Sequence, residues 1–124
     1  MIDFTNKNII KLKEISTRDG EKIIEKLLIP GEVVVFAFSS MRDKLIFTNK
    51  RIVAVNVQGI TGSKIDYTSI PYSKIQTFSI ETAGTFDLDA ELDISLSPLG
   101  TIRFELSAQT NMRELGQHLS MCIL

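Results

Sequence analysis

Tryptophan is absent from the 124 residues, and histidine and cysteine occur once each, as His118 and Cys122. A lone cysteine permits no internal disulfide, which fits a reducing compartment and a cytoplasmic protein. One histidine with no nearby cysteine pair gives no metal-ligand spacing, so neither a metal nor a cofactor is expected. A nucleophile and base pair would have to use His118 as the base, and nothing in the sequence points to its partners. Gly59, Gly62 and Gly84 sit in turns without the strand, glycine loop and helix context of a phosphate loop. Basic excess is missing too: 14 Lys and Arg stand against 15 Asp and Glu, for a formal net charge of -1. That balance excludes a dedicated nucleic-acid binder and weakens a purely electrostatic membrane binder. The chain has no uncharged apolar run of about 18 residues to span a bilayer, and its start lacks a secretory leader pattern. A non-enzymatic, soluble cytoplasmic protein is the expectation.

What is present is a 44% hydrophobic composition, enough for one domain with its own core. Two short helical segments are predicted first. Ile9, Ile10, Leu12 and Ile15 give the first a loose apolar face, and Asp19 is placed as N-cap of the second, which carries Ile23, Ile24, Leu27 and Leu28. Pro30-Gly31 stops it. Seven strands follow, over 33–38, 44–48, 51–57, 64–70, 75–81, 86–97 and 101–107. Asn49-Lys50 joins the second and third as a primed two-residue turn. The sixth alternates most cleanly, with Phe86, Leu88, Ala90, Leu92, Ile94 and Leu96 inward and Asp87, Asp89, Glu91 and Asp93 outward. Apolar must oppose apolar across the last hairpin, which places Leu96 opposite Ile102 and Ser97 opposite Thr101, around a Pro98-Leu99-Gly100 loop. Asn111 with Glu114, or Thr110 as a rival cap, then starts a helix whose stripe is Met112, Leu115, Leu119 and Cys122 or Ile123.

Three stretches carry a family likeness: Pro30-Gly31-Glu32, then Leu45-Ile46-Phe47-Thr48-Asn49-Lys50-Arg51-Ile52, then Ile70-Pro71-Tyr72-Ser73-Lys74-Ile75. Over about residues 22–124 the chain resembles the bacterial pleckstrin-homology (PH) domain family. The resemblance implies a mainly β, PH-like barrel of two orthogonal antiparallel sheets, capped by a C-terminal helix. Residues 30–124 would form that domain and 1–29 an N-terminal helical extension. It also implies homo-oligomeric, ring-shaped assemblies and no enzymatic activity.

Two groups of residues are candidates for function. Strands one to three are apolar on both faces, which an antiparallel sheet in a small monomer seldom is. Either the N-terminal helices cover the second face, or Val34, Phe36, Ile46 and Val53 form an oligomer interface. Arg42, Lys44, Lys50 and Arg51 form the main basic cluster, a candidate site for a small anionic ligand or lipid headgroup. Wider PH relatives that bind phosphoinositides carry more cations here, where Asp43 separates Arg42 from Lys44. The acidic row reads as a solvated face, or as a surface for a basic partner or neighbouring subunit. The main reading is a self-associating protein-interaction module with an unidentified protein partner.

Overall fold

Lys11, Leu12 and Lys13 alternate exposed, buried, exposed, as a strand with one face in a core must. In the computed structural model, which describes residues 1–3, 7–59, 62, 64–84, 89–107 and 109–124, they lie in β1 (Lys7–Ile15). The first expected helix is therefore a strand. Ile9 and Leu12 both enter the main core, although residues three apart in a regular strand face opposite ways. Lys11 reconciles this with a left-handed backbone (φ 58°), and the pairing register of β1 slips between Ile9 and Leu12. A bulged strand thus carries apolar residues at helical spacing.

The second helix is α1 (Thr17–Ile24). Its cap is Ser16, whose Oγ accepts from the Asp19 backbone N–H at 3.1 Å, while Asp19 itself lies in the first turn. Then come β2 (Val34–Ser39), β3 (Asp43–Thr48), β4 (Arg51–Gln58), β5 (Lys64–Pro71), a single 3-10 turn (Tyr72–Lys74), β6 (Thr77–Glu81), β7 (Ala90–Leu96), β8 (Gly100–Leu106) and α2 (Met112–Ile123). Phe86, Asp87 and Leu88, expected to begin the sixth strand, fall outside the described residues.

Among the described residues the strands form one sheet in the order β5-β4-β3-β2-β1-β8-β7-β6. β1 is its hinge. One end pairs parallel with β8 and the other antiparallel with β2, and every other neighbouring pair is antiparallel. The seven expected strands after Pro30 and the closing helix are all present, and β1 adds an eighth.

The β3–β4 pairing is as the sequence predicts, with Phe47 opposite Ile52, Ile46 opposite Val53 and Leu45 opposite Ala54. Its turn is not. Among described non-glycine residues only Lys11 has positive φ, so Asn49 does not form a primed turn. Thr48 Oγ1 instead accepts from the N–H groups of Lys50 and Arg51, each at 3.0 Å. Asn49 braces the preceding loop: its Oδ1 accepts from Val33 N–H at 2.9 Å and its Nδ2 donates to the Gly31 carbonyl at 3.0 Å.

The β7–β8 register differs from expectation by two residues. Ile94 stands opposite Ile102, Ser95 opposite Thr101 and Leu96 opposite Gly100, whose φ is 128°. The loop is therefore Ser97-Pro98-Leu99. A slip of two keeps apolar against apolar, so alternation cannot choose between the two registers. The polar face does choose. Arg103, opposite Asp93, donates to both its carboxylate oxygens at 2.9 Å and reaches Glu91 at 2.9 Å.

Two apolar clusters result among the described residues. The main core lies between the sheet and α2 and includes Phe38, Phe47, Ile52, Leu92, Phe104 and Leu115. The second lies between α1 and the outer face of β2–β4, built on Ile24, Ala37, Ile46, Val53 and Val55. Ile46 and Val53 are fully buried there, so neither can meet a second copy while α1 is docked. Val34 lies half-buried at the edge of this cluster. Phe36 does not share its face. The register shifts between Val34 and Phe36, and Phe36 turns to the main core, edge-on to Phe47. That bulge breaks up the four-residue interface drawn from strict alternation.

Candidate functional site

The basic residues singled out in the sequence separate into two pairs, one at each end of the β3–β4 hairpin. At about 3.3 Å per residue the ends are roughly 20 Å apart. Lys50 is exposed at one end. Beside it Arg51 is held inward, where its Nε and Nη2 donate to the two carboxylate oxygens of Glu32 at 2.9 Å and Nη2 also donates to the Leu27 carbonyl at 2.7 Å. The Glu32 side chain is completely buried and takes a further bond from Thr48 Oγ1 at 2.7 Å. Burial pushes its carboxyl up, but the bonds from Arg51 and Thr48 outweigh that and hold it below the usual value. Arg51 is thus a clamp joining the α1–β2 connection to the β3–β4 turn, not a free cation.

Arg42 and Lys44 lie at the other end, where the structure supplies what the sequence reading missed. A cleft of about 630 Å³ opens between β1 and the β2–β3 turn, lined by Lys11, Lys13, Ser39, Ser40, Met41, Arg42 and Asp43. Pairing of β1 with β2 sets Lys13 directly opposite Ser39. Two hydrogen bonds close the turn: Ser40 N–H donates to the Asp43 carbonyl at 2.8 Å, and Asp43 N–H donates to Ser40 Oγ at 3.1 Å. Arg42 Nη1 donates to the carbonyls of Val57 and Gly59 at 3.2 and 3.1 Å, and Lys44 Nζ donates to the Ser40 carbonyl at 2.8 Å. The Asp43 carboxylate accepts from the Asn56 side-chain amide. Met41, 98% exposed, stands at the tip. Lys11 and Lys13 join this group only because β1 is a strand. The alternation of charged and apolar residues in Lys11-Leu12-Lys13 was the signal that could have found them.

A second polar group lies under α2. Tyr72 Oη donates to the Thr48 carbonyl at 2.6 Å, and His118 Nε2 lies 2.9 Å from Tyr72 Oη and 3.2 Å from the same carbonyl, the arrangement of an Nε2–H donor shared between the two oxygens. Cys122 Sγ is 3.9 Å from His118 Nδ1. Burial lowers the His118 pKa, against the opposing hydrogen bond to Thr48, and burial raises the Cys122 thiol. Burial, then the charges of Cys122 and Glu32, push Tyr72 up. All three groups are driven toward neutrality, the reverse of what a thiolate and imidazolium nucleophile pair requires. Their geometry fastens α2 to the β3–β4 turn. Among the described residues no group of three or more His, Cys, Asp or Glu side chains is arranged to hold a metal ion.

A family model described as "Bacterial PH domain" matches residues 3–123. The chain is 48% identical over 83 residues to "Uncharacterized protein YjqA" of Bacillus subtilis (strain 168), covering 67% of this chain and 66% of that one. It is 30% identical to "Uncharacterized protein YozO" of the same organism, covering 82% and 87%. The fold is similar to the crystal structure of a duf1696 family protein with a pleckstrin-homology domain from Shewanella loihica, with a TM-score of 0.79, 32% identity, and 96% and 100% of the two chains covered. It is also similar to the pleckstrin homology domain from Shewanella amazonensis, with a TM-score of 0.67, 34% identity, and 90% and 91% covered.

Proposed function

The chain belongs to the bacterial PH domain family, and from that premise we propose that it is a non-enzymatic binding module taking a phosphate-bearing ligand in the cleft between β1 and the β2–β3 turn. The observation that carries this reading is the convergence of Lys11 and Lys13 from one strand with Arg42 from a neighbouring turn, in a concave site whose one lining carboxylate, Asp43, is engaged by Asn56. Ammonium and guanidinium groups around a cleft with serine hydroxyls suit a phosphate through charge-assisted hydrogen bonds. The phosphate can come from a lipid headgroup or a free metabolite, and Met41 beside the cations fits an anionic membrane surface.

Two arms separate the sources. Co-sedimentation with vesicles containing phosphatidylglycerol, against phosphatidylcholine alone, tests the membrane, and added salt should reduce pelleting. Titration with pyrophosphate, followed by amide shifts of residues 39–44, tests the free anion. The Lys13→Glu variant should abolish either response. Lys11→Gly removes a cation at a position where glycine accommodates the positive φ, so binding should weaken without loss of stability. Absence of binding in both arms overturns the reading.

Self-association is the second reading, and it rests on a different observation. β5 and β6 are the two ends of the described sheet, and β5 exposes Ile65 and Tyr67. Open edges pair with other strands, and two different edges favour head-to-tail contacts that close into rings. Light scattering over a concentration series tests it, and a strict monomer ends it.

A further inference from the structure

Lys11 takes part in two features of the molecule at once. Its side chain lines the basic cleft, and its backbone is the bulge (φ 58°) at which β1 changes partner. Before it, Lys7, Asn8 and Ile9 pair with Ile102, Arg103 and Phe104 of β8. After it, Lys13, Glu14 and Ile15 pair with Ser39, Phe38 and Ala37 of β2. Leu12 still belongs to β8: it lies opposite Leu106, and its carbonyl accepts from Ser107 N–H at 2.9 Å. The junction between the two halves of the sheet therefore falls between Leu12 and Lys13, in the wall of the cleft.

A lysine is a costly residue at that bend. The left-handed region crowds a side chain, and glycine would take the same φ without strain. Strain of this kind persists only where the surroundings hold it. The core holds one side, because Ile9 and Leu12 are both buried and would face opposite ways along an unbulged strand. On the other side Lys11 and Lys13 are exposed at the cleft, with Arg42 across it on the β2–β3 turn. A cation is what glycine cannot supply there.

On the premise that the cleft takes a phosphate, we infer that the bound anion locks this junction. Lys11 precedes the change of partner, Lys13 follows it, and Arg42 belongs to the hairpin that β1 joins. An anion held by all three bridges both halves of the sheet. Straightening β1 at Lys11 would move its ammonium relative to the other two cations, so the anion opposes that opening. Linkage makes the effect mutual: the anion steadies the junction, and a looser junction binds the anion less tightly. Ser107 lies outside the cleft, on the β8 side of β1, yet its bond to Leu12 registers the ligand.

Hydrogen exchange of the full chain, followed by NMR with and without pyrophosphate, tests this. Amide shifts of residues 39–44 fix the concentration that saturates the cleft. At low urea the Ser107 amide should exchange through a local opening, faster than the amides of β7 and with little dependence on urea. Saturating pyrophosphate should slow it about tenfold or more. Lys11→Gly keeps the bend and loses the cation. It should bind pyrophosphate about tenfold more weakly and, at concentrations giving equal occupancy, slow Ser107 by less than about twofold. Three results overturn the inference alone: pyrophosphate shifts residues 39–44 but leaves Ser107 exchange unchanged, Ser107 exchanges only by global unfolding, or Lys11→Gly retains the full slowing. Absence of pyrophosphate shifts overturns it too, whereas the phosphate-binding reading falls only when the vesicles also fail to bind.

Discussion

Strands β3 and β4 bury apolar side chains on both faces, whereas β7 and β8 bury one face and leave the other to a charged network. Along β7, buried Ala90, Leu92, Ile94 and Leu96 alternate with partly exposed Glu91, Asp93 and Ser95. Along β4, Ile52, Val53, Ala54 and Val55 are buried in succession. The difference is α1, an eight-residue helix that gives one half of the sheet a second core. Apolar residues on both faces of a strand therefore need not signal a partner subunit. A short helix carrying Ile23 and Ile24 is cover enough.

Substitutions on the two sides of this comparison should separate by size of effect. Ile46→Ala, in the second cluster, should cost about 4 kcal/mol by urea denaturation, as a buried large-to-small change in a real core does. A loss of under about 1 kcal/mol would mean that α1 rests on the sheet without forming a core. Glu32→Gln should cost about 3 kcal/mol, because Arg51 then keeps its inward position without a carboxylate. Gly20→Ala is the sharper probe of α1. Its new Cβ would lie 2.5 Å from Ala37 Cβ, so crowding should outweigh the better helix propensity and cost about 1–2 kcal/mol.

Acid should expose a smaller contribution. Burial lowers the folded His118 pKa below its ordinary 6.5, so the unfolded chain takes up that proton first. Stability from neutral His118 is complete above about pH 6.5 and declines as pH falls through the folded value. For Glu32 the corresponding loss begins near its ordinary 4.5, and the urea midpoint should fall in two stages. His118→Gln should remove the upper stage alone. Arg103→Ala on the solvated face of β8 should have the least effect, with a urea midpoint indistinguishable from the parent in high salt, because screened surface pairs contribute little.

Much of the fold was legible because period-2 patterning survives wherever one face is wet, and because Phe47, Ile46 and Leu45 allow only one pairing with β4 across a short turn. Three features were not legible, each for a physical reason. Lys11 bends β1, so Ile9 and Leu12 imitate the spacing of a helix. The register shift beside Val34 turns Phe36 to the other face. The β7–β8 hairpin can slip by two residues without disturbing its apolar face, and its register is marked instead by polar pairs, Arg103 with Asp93 and Ser95 with Thr101, and by the turn at Gly100. The basic site suffered from the first of these. Arg42 and Lys44 were visible, but Lys11 and Lys13 reach them across the strand that had been read as a helix, and Arg51 was committed to Glu32.

The bend at Lys11 also bears on the order in which the molecule assembles. β1 is made early, and half of it can zip onto β2 as soon as residues 34–39 follow. Its other half must wait for β8, some 95 residues further along, because Lys7 pairs with Ile102. On a translating ribosome the first strand stays half-seated until almost the whole chain has emerged. Closing that parallel pair carries a larger loop-closure entropy than zipping β1 onto β2, because its partners lie so much further apart along the chain. The residue that joins the two halves of the sheet thus divides a local pairing from one that spans most of the chain.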